Sequence, residues 1–270
     1  MINIIYRTKM IKKIIYTSVI ISSLTLSSLS IANEEILKKN DPSMIKDCHE
    51  GINRTIFAIN KGLDNVVFEP VARAYRVLPG SVRSGVSNSL NNLSNLVTIP
   101  NNILQGEYKK AGTNTGRFVI NTTIGILGFI DVAEKIGFEE YEKEDYGQSL
   151  AMQGVGPGCY LVLPVLGPST IRDTAGSLVN VLGGDAWYNV TVKNNTQHFE
   201  DSDYIVSRLA TGIDFRAKNV GSFDNLEKNA VDFYASVKSL YLQDRQQKIL
   251  NSNGIIEAMD DSDWDDIENQ

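Results

Sequence analysis

The sequence predicts an all-α fold in a single domain. Three observations carry that expectation. Apolar residues recur at three- and four-residue spacing along much of the chain, the period of one helix face. No stretch sustains the apolar–polar alternation of a half-buried strand. No internal repeat divides the chain, and the length left after a leader suits one domain.

The elements follow in order. Met10-Ile11-Lys12-Lys13 is a short basic region; Ile14 to Ala32 carries no charge and ends Ser30-Ile31-Ala32, a small-x-small pattern. This is the form of a secretory signal peptide over 1–32, cleaved after Ala32, with Met10 a candidate true start. The alternative is an uncleaved anchor, but the stretch is barely long enough to span a bilayer and is rich in Ser and Thr. Residues 33–47 read as a linker, 48–250 as the helical domain, and 251–270 as an acidic, disordered tail, with seven acids and no base from Glu257 onward.

Within the domain, Ile52, Ile56, Ile59 and Leu63 mark one helix face. Glu69-Pro70 opens a second helix, with Pro in the first turn where its missing N–H costs nothing. That helix carries Val71, Tyr75 and Leu78 and stops at Pro79-Gly80. Val82, Val86, Leu90 and Leu93 give a third. Pro100 opens another, through Ile103, Leu104, Ala111, Phe118 and Val119; Gly106, Gly112 and Gly116 leave it dependent on tertiary packing. Asp224 and Glu227 have capping-box spacing. Leu226, Ala230, Phe233, Val237, Leu240 and Tyr241 then form one continuous stripe, expected to face the core.

Composition narrows the function. At 42 % hydrophobic and 21 % charged, the 270-residue chain is not wholly disordered. Without residues 1–32 it holds 22 basic and 32 acidic residues, a net charge of −10. Such a domain does not suit nucleic acid, whose affinity comes from cations meeting phosphates. Nor is it drawn by charge to an anionic membrane. An exported chain can carry a disulfide, but spacing alone does not decide whether Cys48 and Cys159 pair.

Catalytic chemistry has little to work with. Cys48 and His49 are adjacent, so their side chains diverge rather than meet as nucleophile and base. No Gly-x-Ser-x-Gly elbow occurs. His49-Glu50 lacks the second histidine of a zinc protease, and no Gly-Lys-Ser/Thr phosphate loop is present. Gly154, Gly156 and Gly158 enclose Pro157 and read as backbone punctuation rather than a dinucleotide turn. The acids Glu139, Glu140, Glu142, Glu144 and Asp145 read as a solvated run. No cofactor and no metal site is expected.

Two segments fit no amphipathic helix. Thr122 to Ile130 is uncharged and apolar on every side. Gly154 to Pro168 is a second uncharged apolar stretch, running into Arg172-Asp173. Each must be buried or face lipid, since exposed apolar patches are normally limited; base rates alone favour burial.

The motifs themselves resemble a known family. Gly51-Ile-Asn53-Arg54-Thr55-Ile-Phe57-Ala-Ile-Asn60 looks like the opening block of the MlaA (VacJ) family. Pro70-Val71-Ala72 with Tyr75-Arg76 is similar to the next block. Val86-Ser87-Asn88, Asn101-Asn102-Ile103-Leu104-Gln105-Gly106 and the run Thr115 to Gly125 resemble the middle. Asp145-Tyr146-Gly147-Gln148-Ser149-Leu150, Gly154-Val155-Gly156 and the run Tyr160 to Asp173 complete the set, in order, over about residues 48 to 245.

The resemblance implies a ring of helices lying in the inner leaflet of the outer membrane, facing the periplasm, with a central amphipathic channel. It implies removal of misplaced phospholipid from the outer leaflet and its delivery to a periplasmic MlaC-like carrier. Trimeric porins are the implied partners, no reaction is catalysed, and lipid asymmetry is the result. Exposing lipid chains to water costs roughly 0.8 kcal/mol per methylene, on the order of 20 kcal/mol for two chains of about fifteen. Such a route must therefore be apolar along its length, with polar room for a headgroup.

By this resemblance Ile124, Gly125, Ile126, Leu127, Gly128, Phe129 and Ile130 form a channel-side hairpin whose glycines let it flex as a gate. Tyr160, Leu161, Val162, Leu163, Pro164, Val165 and Leu166 form apolar wall facing membrane or channel. At its end Ser169 or Thr170 caps a new helix, with Asp173 in the first turn, favourable to the helix dipole.

Two departures stand out. Family members carry a cysteine directly after the signal, whereas here the region reads Leu29-Ser30-Ile31-Ala32-Asn33 and the first cysteine is Cys48. A lipidated N-terminus is not expected, so attachment falls to the apolar surface of the ring or to an uncleaved signal. Cys159 also interrupts the last block, where a small residue or proline is the expected type. Two rival readings remain: a periplasmic scaffold that binds a porin or carrier without conducting lipid, and a soluble periplasmic hydrolase working through its acids.

Overall fold

In the computed structural model of the protein, residues 36, 38–140, 142–180, 185, 188–189 and 201–252 are described. The expected signal peptide and nearly all of the acidic tail lie outside them. The described chain is mostly helical, in line with the predicted class.

The first helix forms as α1 (Glu50–Leu63). It runs through a π-helical turn, Asp64–Phe68, into α2 (Glu69–Tyr75), with Pro70 in its first turn. α3 (Gly80–Leu104) contains Pro100, so that proline does not open a helix as expected. Polar contacts tie α3 to its neighbours on the proline's C-terminal side. Asn101 Nδ2 donates to the Val97 carbonyl at 2.8 Å, Ser149 Oγ donates to Asn101 Oδ1 at 2.6 Å, and Asn114 Nδ2 donates to Asn102 Oδ1 at 2.9 Å. The break comes instead at Gly106, whose φ of 80° suits a left-handed helix stop. α4 (Tyr108–Thr123) then packs back along α3. Short helices α5 (Val132–Lys135) and α6 (Tyr146–Met152) follow.

A feature the sequence reading lacked is an antiparallel hairpin, β1 (Tyr160–Leu163) with β2 (Gly167–Thr170), in which Tyr160 faces Thr170 and Leu163 faces Gly167. Helix α1 takes the place of a third strand. Asn53 donates to the Tyr160 carbonyl and accepts from the Val162 N–H, at 3.1 and 3.0 Å. Two turns on, Asn60 does the same for the Leu163 carbonyl and the Val165 N–H, both at 2.8 Å. Backbone polar groups left free at a buried strand edge are costly, so these two side chains make the short hairpin possible.

α7 (Ile171–Val179), α8 (Asp201–Lys218), α9 (Val220–Asn229) and α10 (Phe233–Ser252) complete the fold. The C-terminal stripe is not one helix. Ala230 is extended, with ψ of 132°, and ends α9. Asp224 lies inside α9 and pairs with Arg73, and Glu227 pairs with Lys61, so neither makes the expected capping box. Asp232 does the capping, its Oδ1 accepting from the Ala235 N–H at 3.1 Å at the start of α10.

The described part of the stretch expected as a linker is docked. Ile36 is buried with Ala151 and Ile249, Asn40 accepts a hydrogen bond from Arg172, and the Lys46 carbonyl accepts from the Tyr160 N–H. Cys48 and Cys159 form a disulfide, with Cα atoms 5.6 Å apart, which ties this segment to the start of β1. The main apolar core is Tyr160, Val162, Tyr234 and Leu242, flanked by Ile56 and Phe57.

Several helices reverse the usual polarity. α3 and α4 bury Asn92, Asn95, Thr98, Asn101, Asn102, Asn114, Arg117 and Asn121, while Ile103, Leu104, Tyr108 and Val119 are exposed. On α1, Asn53 is buried, and Ile52 and Ile59 of the predicted apolar face are more than 60 % exposed. A water-facing helix is patterned the other way round.

Candidate functional site

A cavity of about 550 Å³ opens between α1, the hairpin turn, α8, α9 and α10. Its wall is largely apolar: Phe57, Leu63, Phe68, Val165, Leu166, Leu209, Phe215, Phe223, Phe233 and Val237 contribute. On α8, Ile205, Leu209, Gly212 and Arg216 lie four, three and four residues apart and share one face toward it. The sequence analysis predicts no helix here, although this spacing is the signal of one.

Charged groups punctuate the wall. Arg216 is buried and forks onto Asp64, Nε at 2.9 Å from Oδ1 and Nη2 at 2.9 Å from Oδ2, with its guanidinium 4.8 Å from the Phe223 ring centroid. Lys61 pairs with Glu227 and stands 5.1 Å from the Phe233 ring centroid. Arg208 pairs with Asp185 and stacks on Tyr204 at 5.0 Å. Burial opposes the Arg208 charge, but the Asp185 carboxylate more than offsets it and holds the guanidinium above its ordinary value. The cavity is therefore amphipathic: a broad apolar wall with cations tethered at fixed points.

The predicted site residues divide. Of the expected wall, Val165 and Leu166 line the cavity, whereas Tyr160 and Val162 are core side chains, 0 % and 2 % exposed. Leu161 and Leu163 are half-buried and Pro164 is exposed. One face of a strand packs inward and only the turn reaches the cavity, which corrects the reading of Tyr160 to Leu166 as a continuous wall. The cap of α7 is Thr170, whose Oγ1 accepts from the Asp173 N–H at 3.1 Å. Ser169 instead bonds Thr174 at 2.9 Å, and Asp173 does occupy the first turn.

None of Ile124 to Ile130 lines the cavity. This segment is a tight turn against α3. Ile126, Leu127 and Gly128 have φ of 55°, 56° and 88°. The Phe129 ring lies over Gly85, and a Cβ on Gly128 would stand 2.5 Å from that of Asn92. Gly128 N–H donates to the Asn121 carbonyl at 2.7 Å and Ile130 N–H to the Gly125 carbonyl at 2.9 Å. The glycines here serve close packing. Ile124, Ile126 and Leu127 nevertheless point outward, each about two-thirds exposed.

Of the acids in the hydrolase reading, Glu144 and Asp145 are engaged. Asp145 accepts from Arg245 at 2.6 and 3.0 Å, and Arg245 also reaches Asp173 at 2.9 Å. Burial pushes the Asp145 carboxyl up, but Arg245 and the Gln148 N–H outweigh it and hold the pKa at about 2, the opposite of what a general acid needs. Glu144 is buried and accepts from Gln105 at 3.0 Å. Among the described residues, no group of His, Cys, Asp and Glu could hold a metal ion, and no helix is long and apolar enough to cross a membrane.

Comparison with known proteins places this arrangement. A solved structure from "Structural basis for maintenance of bacterial outer membrane lipid asymmetry" superposes with a TM-score of 0.65 at 31 % identity, covering 76 % of this chain and 99 % of that one. The "Intermembrane phospholipid transport system lipoprotein MlaA" of Haemophilus influenzae is 31 % identical over 241 residues, 87 % of this chain and 92 % of the relative. Its Escherichia coli namesake is 33 % identical over 198 residues, 72 % of this chain and 74 % of the relative. An uncharacterised protein of Rickettsia bellii is 34 % identical over 245 residues, 87 % of this chain and 92 % of the relative. Residues 45–248 match the MlaA lipoprotein family, and the chain belongs to that family.

Proposed function

We propose that this protein carries phospholipid at the periplasmic face of the outer membrane, without catalysing a reaction, as part of a system that maintains lipid asymmetry. Phospholipid leaves the outer leaflet through the protein and passes to an MlaC-like periplasmic carrier, with a trimeric porin as the membrane partner. The amphipathic cavity carries this reading. Its apolar wall offsets the cost of exposing acyl chains, about 0.8 kcal/mol per methylene, and its tethered cations suit a polar headgroup. The reversed polarity of α3 and α4 supports placement in a leaflet, where apolar side chains face outward and polar ones inward. The names of the curated relatives point the same way.

The test uses Gly212. It lines the cavity, and a Cβ placed there meets nothing within 4 Å. Gly212→Phe should therefore start from open space and project its ring into the cavity. The mature protein is purified from membranes in mild detergent and its organic extract read by mass spectrometry. Phospholipid with the wild type, and much less with an equally folded Gly212→Phe variant, is the expected result. Equal lipid in both would mean lipid held on the outer surface only, and would favour the scaffold reading.

A further inference from the structure

We propose that Arg208 is the docking point for the phosphodiester of a phospholipid headgroup inside the cavity, an inference that rests on the lipid-carrying reading above. Three cations line the wall: Lys61, Arg208 and Arg216. They are not equivalent. The Arg216 side chain is 9 % exposed and spends Nε and Nη2 on Asp64 and Glu69. Lys61 is 34 % exposed, but its partner Glu227 is more open, at 46 %. A phosphate approaching Lys61 meets a carboxylate beside it.

Arg208 has the opposite asymmetry. Its side chain is 46 % exposed while that of its partner Asp185 is 1 % exposed. Asp185 also accepts from the Tyr204 hydroxyl at 2.8 Å and the Tyr188 N–H at 3.3 Å. The counter-charge is thus hidden behind the guanidinium, which meets it through Nη2. The planar fork is held by Asp185 at Nη2 and stacked on Tyr204, it lines the cavity, and a guanidinium carries five N–H donors, more than one carboxylate partner uses. Planar recognition of a phosphate by two parallel N–H groups is what arginine supplies and lysine does not. Ile205 and Leu209, on the same wall, offer apolar surface to the chains.

The experiment loads the detergent-purified mature protein from micelles holding equal dioleoyl-phosphatidylglycerol and dioleoylglycerol, which share chains and differ in the phosphate. Bound lipid is read by native mass spectrometry for wild type, Arg208→Gln and Arg208→Lys, with Tm measured for each. Wild type should prefer the phospholipid by about tenfold, a ratio equivalent to ~1.4 kcal/mol. Arg208→Gln should bring the two lipids to near parity while still binding both. Arg208→Lys keeps a charge beside Asp185 and decides the matter if Arg208→Gln does not fold; it should lose part of the preference. An unchanged preference in the folded variants, or parity in wild type, overturns the proposal. A separate arm adds inorganic phosphate alone. If it raises the wild-type Tm but not that of Arg208→Lys, and wild type shows no lipid preference, Arg208 is a site for free anions and the headgroup assignment is wrong. Wild type that binds neither lipid refutes the cavity reading itself, a different outcome from parity.

Discussion

Arg245 serves two carboxylates at once, and its removal has a defined cost. It forks onto Asp145 and reaches Asp173, which also accepts from Tyr241 at 2.7 Å. Arg245→Met would leave the nearly buried Asp173 with one fewer cation and Asp145 without its fork. Breaking such a pair costs about 3 kcal/mol, taken at the low end because Asp145 is 42 % exposed and partly screened. Urea unfolding at pH 7 reads it. The pH dependence follows from the carboxylates. Asp145 titrates at about 2 when folded, against 3.8 ordinarily, and Asp173 is also lowered. Their contribution is complete above the unfolded value near 4 and fades as the pH falls toward 2. The gap between wild type and Arg245→Met should therefore close below about pH 4; a gap that stays constant down to pH 2 would show that lost packing, not charge, causes the loss. Residue-level chemistry of this kind was half legible. Asp173's place in the first turn of α7 could be read from the sequence, but its link to Arg245, 72 positions away, could not.

At the scale of elements, two short pieces carry most of what sequence period misses. The β1–β2 hairpin is four residues a side and relies on Asn53 and Asn60 for its edge. A strand whose partner is a helix side chain leaves no alternation long enough to detect. The disulfide pins the start of that hairpin and closes a 111-residue separation. Cys48→Ala with Cys159→Ala should cost about 5 kcal/mol on the loop-entropy scale, seen as a lower urea midpoint. A midpoint unchanged from wild type would mean that docking of Ile36 and residues 38–47 already restrains the chain. The turn at 124–130 makes a separate prediction. Ile126 is β-branched at positive φ, an arrangement that costs roughly 1–3 kcal/mol per residue and persists only where something else requires it. Asparagine tolerates the left-handed region better and is polar. Ile126→Asn with Leu127→Asn should therefore keep or raise Tm while weakening retention on phosphatidylcholine vesicles. A fall in Tm with vesicle binding intact would show that these side chains hold the fold rather than meet lipid.

Over the whole molecule, the sequence read helix class and the early boundaries well, because period and proline placement are local signals. It marked apolar faces without deciding which of them are buried. Ile52, Ile59 and Val82 have the spacing of a core stripe but lie outside, and asparagines fill the interior. Spacing shows that a helix has an apolar face; it does not show whether water or lipid lies against that face. This reversal leads to a prediction about the intact protein. Without residues 1–32 the chain carries a net −10, so charge does not draw it to an anionic surface. The exposed apolar side chains of α1, α3, α4 and the 124–130 turn would supply the attraction instead, and apolar burial is not screened by salt. The mature protein should float with zwitterionic phosphatidylcholine vesicles, and binding should persist or tighten as NaCl rises from about 0.05 to about 1 M, over which the screening length shrinks several-fold. It should bind no better when anionic lipid is added. Release at high salt, or binding confined to cationic vesicles, would mean that electrostatics holds the protein at the surface. The outward apolar faces would then need a protein partner, not a leaflet, to cover them.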